Sequence, residues 1–169
     1  MALLCMKCFQ IYKKILGGCP LSYCNGNIRE IDELLLSTII VLNRDKGLYT
    51  SHSCASHEYH MIYDIDPGTT YGSKEVYISF DEFTTIPSIP EGFEIIGNQE
   101  PPFTGIQIRE ITPIVYTHHY DLFERQSQKF SALNSLLKWA IFIKGIPDEK
   151  RLEIKEKIKQ RELQKLNKE

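Results

Sequence analysis

Cys5-Met6-Lys7-Cys8 and Cys19-Pro20-Leu21-Ser22-Tyr23-Cys24-Asn25-Gly26 place four of the five cysteines within the first 24 residues, the two pairs ten residues apart. A C-x2-C turn brings two sulfurs to one side of the backbone. A second pair from another turn completes a tetrahedron around one ion, with Zn–S at about 2.3 Å. Gly17-Gly18, Pro20 and Gly26 supply that second turn. The spacing therefore points to one zinc held by Cys5, Cys8, Cys19 and Cys24. Two alternatives stay open on spacing alone. An iron–sulfur cluster also takes four thiolates, and a further alternative reads Cys5 and Cys8 as chance thiols in a frayed terminus. A disulfide framework is the less natural reading: Met1 to Met6 is too short for the apolar part of a secretory signal and Lys7 interrupts it. The expected compartment is the cytoplasm, where thiols stay reduced.

Moving outward, Asn27-Ile28-Arg29-Glu30 has the form of a capping box, and Ile28, Ile31, Leu34, Leu35, Ile39 and Leu42 follow at helical spacing. A buried helix from Asn27 to Lys46 is expected, closed by Gly47 in the left-handed conformation. Strand signals follow at 49–53, 59–66 and 75–80, and the last two are expected to pair as a hairpin. Further strands are expected at 93–97, 106–112 and 114–116. A second helix is expected from Asp121, its apolar stripe formed by Phe130, Leu133, Leu137, Ala140 and Ile141. Residues 148–169 carry eight basic and six acidic residues on a thin apolar stripe, the pattern of a solvated helix docked along one edge. The fold class is α+β: an N-terminal zinc knuckle, a buried helix, a mostly antiparallel sheet and two C-terminal helices. The corresponding division is 1–26, 27–147 and 148–169.

The 169 residues are 42% hydrophobic and 25% charged, with a net charge of −2. This composition excludes wholesale disorder, a fibrous repeat and a membrane-embedded chain, and it offers no global basic field for nucleic acid. Twenty-two isoleucines against four alanines suit AT-rich coding DNA, as in low-GC bacteria and their phages.

The densest polar cluster is Tyr49-Thr50-Ser51-His52-Ser53-Cys54-Ala55-Ser56-His57-Glu58-Tyr59-His60. On a regular strand Thr50, His52 and Cys54 share a face, and a turn after Cys54 would return His57 toward it. Cys54 and His57, with His60 opening the next strand, are thus candidates for a nucleophile–base pair. They are equally candidates for ligands of a second metal, with His52 or His60 as a third. The plain reading is a small thiol packed under a sheet and surface histidines beside a turn. His118-His119 point opposite ways on a strand, so at most one of them joins such a cluster. No P-loop, G-x-G-x-x-G, G-x-S-x-G or H-E-x-x-H occurs.

The stretch from Cys5 to His57 resembles a pattern of small bacterial and phage proteins. That pattern is an N-terminal four-cysteine, zinc-ribbon-like segment, an I-D-E helix and an L-N-x-K-G-Y-x-T-x-x-S-C-x-G-H motif. Here it reads Ile31-Asp32-Glu33, then Leu42-Asn43-Arg44-Asp45-Lys46-Gly47-Leu48-Tyr49-Thr50-Ser51-His52-Ser53-Cys54-Ala55-Ser56-His57. Arg44-Asp45 stand where the pattern has one residue, Leu48 is additional, and Ser56 replaces the glycine before the histidine. The resemblance implies a zinc site and brings no activity with it. Thr50 to Cys54 is also similar to the T-x-S-S-C-S-G-R segment of the wybutosine-synthesis methyltransferase family, without its arginine. That similarity implies S-adenosylmethionine and tRNA as ligands.

Three functional expectations follow. The first is a zinc-binding accessory or interaction protein of bacterial or phage origin that binds a host macromolecule or small ligand without chemistry. The second is a hydrolase or transferase using Cys54 and His57. The third is an RNA-binding module working through the basic C-terminal helix, which the body's net charge of −4 opposes. The apolar helix at 122–144 would suit a homodimer, and no partner membrane is implied.

Overall fold

The computed structural model describes residues 1–14, 17–56, 75–98, 105–111 and 120–166. Two antiparallel sheets and three helices build a mixed α+β fold. The first sheet has the order β2-β1-β3, from β1 (Ala2–Cys5), β2 (Ile11–Tyr12) and β3 (Ile28–Ile31).

β3 corrects the helix expected from Asn27. Residues 28–31 pair with β1, Cys5 opposite Ile28 and Ala2 opposite Ile31. Their backbone groups find partners in a neighbouring strand, so the capping signal at Asn27 and Glu30 is overridden. The cap belongs to Asp32 instead. Its carboxylate accepts from the Leu34 amide at 3.2 Å and from the Ala55 amide at 3.3 Å. One side chain thus starts the helical segment and ties it to the second sheet. A 3-10 turn (Glu33–Leu35), helix α1 (Leu36–Ile40) and a π-turn (Val41–Asp45) follow in continuity. Gly47 closes the segment at φ +68°, as its sequence position suggests. A Cβ there would also meet the Arg151 side chain at 2.6–2.8 Å.

The second sheet has the order β4-β5-β7-β6, from β4 (Thr50–Ala55), β5 (Val76–Phe80), β6 (Phe93–Asn98) and β7 (Gly105–Glu110). β5 is flanked by β4 on one side and β7 on the other. Its antiparallel partner preceding it in the chain is, among the described residues, β4. Residues 59–66 and 114–116 lie outside the described residues.

Helix α2 (Tyr120–Phe142) packs its Leu133, Leu136, Trp139 and Ala140, with Ile143 just beyond its end, in one core with Ile78, Phe80 and Ile108. The buried face is rotated from the expected stripe: Phe130 and Ile141 are exposed. Trp139 sets this rotation. Its ring meets Phe80 edge to face at 6.4 Å, and its indole N–H donates to Ser88 Oγ at 2.9 Å. Among the described side chains of helix α3 (Asp148–Leu166) only Ile154 is buried, and two arginines fix the helix to the body. Arg151 donates to the carbonyls of Ile146 and Asp45, both at 2.7 Å. Arg161 donates to Asp81 at 2.7 Å and to Glu82 at 3.0 Å. Among the described residues no helix is long and apolar enough to cross a membrane.

Candidate metal centre

The first sheet is built around the four cysteines. Cys5 ends β1, and its amide donates to the Gln10 carbonyl at 3.0 Å while its carbonyl accepts from Phe9 at 2.9 Å. This tight turn carries Cys8 back over Cys5 and forces Phe9 to φ +60°, a strained value for a residue with a Cβ. The second loop is closed by Cys19 donating its amide to the Gly26 carbonyl at 3.1 Å and Cys24 donating to Leu21 at 2.8 Å.

The result is convergence. The four Sγ atoms all lie within 4.8 Å of one another. Cys5 and Cys24 are 3.7 Å apart and buried, and Cys8 and Cys19 are 3.7 Å apart and partly exposed. A ZnS4 tetrahedron with bonds of about 2.3 Å has edges of about 3.8 Å. The thiols thus already stand at the spacing a single tetrahedral ion needs, and they can hold a metal. Gly26 is required beside them: a Cβ at this position would lie 2.5 Å from Cys5 Sγ and 2.6 Å from Lys7 Cβ.

Two neighbours tune the thiols. The Tyr12 hydroxyl lies 3.1 Å from Cys19 Sγ. Burial works to raise the Cys19 thiol, but the bonds it accepts from the Tyr12 hydroxyl and the Leu21 amide outweigh burial and bring it down to about 7. The same hydrogen bond to Cys19, reinforced by burial, moves the Tyr12 phenol above its ordinary value. Burial pushes the Cys24 thiol up to about 12, opposed in part by the Gly26 amide. In the metal-free chain Cys19 is therefore ionised ahead of Cys24. Tyr12 carried no sequence signal beyond its place four residues after Cys8.

The second cluster is only partly within the described residues. His57, His60 and His118-His119 lie outside them. Cys54 is 5% exposed, near the end of the edge strand β4. The expectation that Thr50 shares its face is corrected by a β-bulge. Thr50 stands opposite Phe80, whereas His52 and Cys54 stand opposite Ser79 and Tyr77, so the extra residue Ser51 turns Thr50 to the other face. Thr50 instead bonds Asn43, whose side-chain amide donates to Thr50 Oγ1 at 2.8 Å and accepts from the Thr50 amide at 3.1 Å. Burial, with Arg29 nearby, holds His52 below its ordinary value.

Sequence reasoning missed a charged knot beside Cys54. Ser56, 1% exposed, takes φ +65° at the position where the resembled pattern has glycine. Arg125 of α2 donates to its hydroxyl at 3.1 Å, and Lys129 donates to its carbonyl at 2.9 Å. Arg125 also engages both carboxylate oxygens of Glu110, and Glu110 accepts from the Val76 amide at 3.1 Å. The departure from glycine at Ser56 was the one signal that could have marked this spot.

No protein-family model, no curated protein and no solved structure matches this chain.

Proposed function

We propose that the chain is a zinc-binding accessory protein in which a structural zinc, held by Cys5, Cys8, Cys19 and Cys24, shapes a zinc-ribbon-like surface. That surface, with the α+β body behind it, binds a host macromolecule or small ligand without chemistry of its own. The observation carrying this reading is the spacing of the four sulfurs, 3.7 Å within each pair and under 4.8 Å throughout. A polynuclear iron–sulfur cluster distributes its thiolates over several irons and spreads them apart. A single ion needs them close together, the spacing these four sulfurs have. An all-thiolate shell with no open position suits a structural site rather than a catalytic one.

Elemental analysis of the freshly purified chain tests the reading. One zinc per chain is expected, lost in Cys19→Ser or Cys24→Ser together with part of the tertiary structure. Iron in place of zinc, or a full-length folded chain with neither, overturns it. Two metals per chain would shift weight to the Cys54 region. Iodoacetamide separates the enzymatic alternative. A buried packing thiol at Cys54 resists alkylation in the native chain, whereas a nucleophile paired with His57 reacts near neutral pH.

A further inference from the structure

The four sulfurs are unequal. Cys5 and Cys24 are buried and joined to the interior: Cys5 is 0% exposed and adjoins Leu4, itself at 0% in the main core. Cys8 and Cys19 form the outer edge of the tetrahedron and are partly exposed. A small oxidant therefore meets Cys8 and Cys19 first. They are eleven residues apart in sequence and 3.7 Å apart in space. A disulfide of about 2.0 Å needs the two sulfurs to close by only about 1.7 Å, and the loop between them contains Gly17 and Gly18, neither with anything within 4 Å of an added Cβ.

Resting on the zinc reading above, we infer that Cys8 and Cys19 form a peroxide-sensitive edge of the metal centre, whose oxidation to a disulfide ejects the zinc. Hydrogen peroxide is the oxidant. The Cys8 thiolate attacks one peroxide oxygen, the O–O bond breaks, and with one proton taken up the products are a Cys8 sulfenic acid and water. The Cys19 thiolate then attacks the Cys8 sulfur. The S–S bond forms, the S–O bond breaks, and hydroxide leaves to be protonated to water. Two electrons pass from the two sulfurs to one peroxide. Cys5 and Cys24 alone would remain as thiolate ligands, too few to retain a zinc that needs four.

Tyr12 sets the order of attack. Its hydroxyl, 3.1 Å from Cys19, donates to that sulfur once it is ionised and draws electron density from it. Cys8 is thereby the first sulfur oxidised and Cys19 the resolving one. Tyr12 is a positioning residue, and its removal accelerates the reaction.

The experiment treats the zinc-loaded full chain with hydrogen peroxide, reads zinc with a chromogenic chelator, and maps the bridge by peptide mass spectrometry after alkylation. The expected result is one zinc released per Cys8–Cys19 disulfide, reversed by a dithiol and zinc, with release about fivefold faster in Tyr12→Phe, the factor for loss of one hydrogen bond. A bridge between Cys5 and Cys24, a scrambled set of bridges, or zinc retained after peroxide overturns the inference while leaving the zinc reading intact. A chain that carries no zinc when purified overturns both. Equal release rates in Tyr12→Phe and the parent chain overturn the assigned role of Tyr12.

Discussion

Arg125 clasps Glu110 inside the protein with side-chain exposures of 1% and 7%, and the same guanidinium reaches the Ser56 hydroxyl. Two full charges removed from water persist only when paired and hydrogen-bonded on all sides. Here the Val76 amide and the Ser56 hydroxyl contribute to that shell. The pair joins α2 to the ends of β4, β5 and β7.

Removing one partner should be severe. Arg125→Met leaves the Glu110 carboxylate buried and uncompensated, and should cost about 3–5 kcal/mol. The double variant Arg125→Met with Glu110→Leu should recover most of that loss. Urea unfolding of the two single variants and the double variant checks this. Additive losses would show that the two side chains act independently.

Ser56 is held in a left-handed backbone conformation at φ +65°. A residue with a Cβ there stores about 1–3 kcal/mol of strain. Ser56→Gly removes the strain and forfeits one hydrogen bond from Arg125, so its stability should stay within about 1 kcal/mol of the parent. Ser56→Ala keeps the strain and also forfeits the bond, so it should be the less stable of the two. Thermal melts of both variants decide the order, and an alanine variant more stable than the glycine variant would refute the argument.

Gly26 leaves no room for a side chain beside Cys5 and Lys7, with clearances of 2.5 and 2.6 Å. Gly26→Ala should displace Cys5 or the second loop and weaken metal binding by about 10–100-fold, the size of effect seen when the surroundings of metal ligands are disturbed. Competition with a colorimetric zinc chelator measures it. Gly18→Ala, in open space, is the control and should leave affinity unchanged.

Metal uptake should depend on pH in a definite direction. Only thiolates bind, so every thiol proton present must be displaced. Cys19 in the free chain loses its proton at about 7, and Cys24 keeps its proton until about 12. Below about pH 7 zinc therefore displaces one proton more than above it, and apparent affinity should fall more steeply with acidification there. Proton release measured in weakly buffered solution on either side of pH 7 checks the sign. Equal release on both sides would show that Cys19 is not ionised first.

The cysteine cluster was legible because its signal is local. Short spacings with glycine and proline between them restrict the chain to turns, and four thiolates share one chemistry. The strands expected at 75–80 and 106–112 were legible for the same reason, since alternation is a property of neighbouring residues, and they form at Val76–Phe80 and Gly105–Glu110. Residues 28–31 show the limit. Their capping and periodicity signals favour a helix, but β1 offers them a ladder of backbone hydrogen bonds, and that competition is invisible until β1 is in place. The rotation of α2 was hidden likewise: Phe130 and Leu136 are both apolar, and only the position of Phe80 against Trp139 selects which one is covered.

Local order along the chain thus settled which residues come close enough to hold a metal and where most of the extended segments run, because short turns and alternation depend on near neighbours alone. Contacts between distant segments settled everything else. The bulge at Ser51 divides Thr50 from His52 and Cys54, Arg125 meets Glu110 and Ser56 across 15 and 69 residues, and Tyr12 comes to rest on Cys19. Burial of charge and the facing of side chains are properties of the packed whole, and no short window of residues contains them.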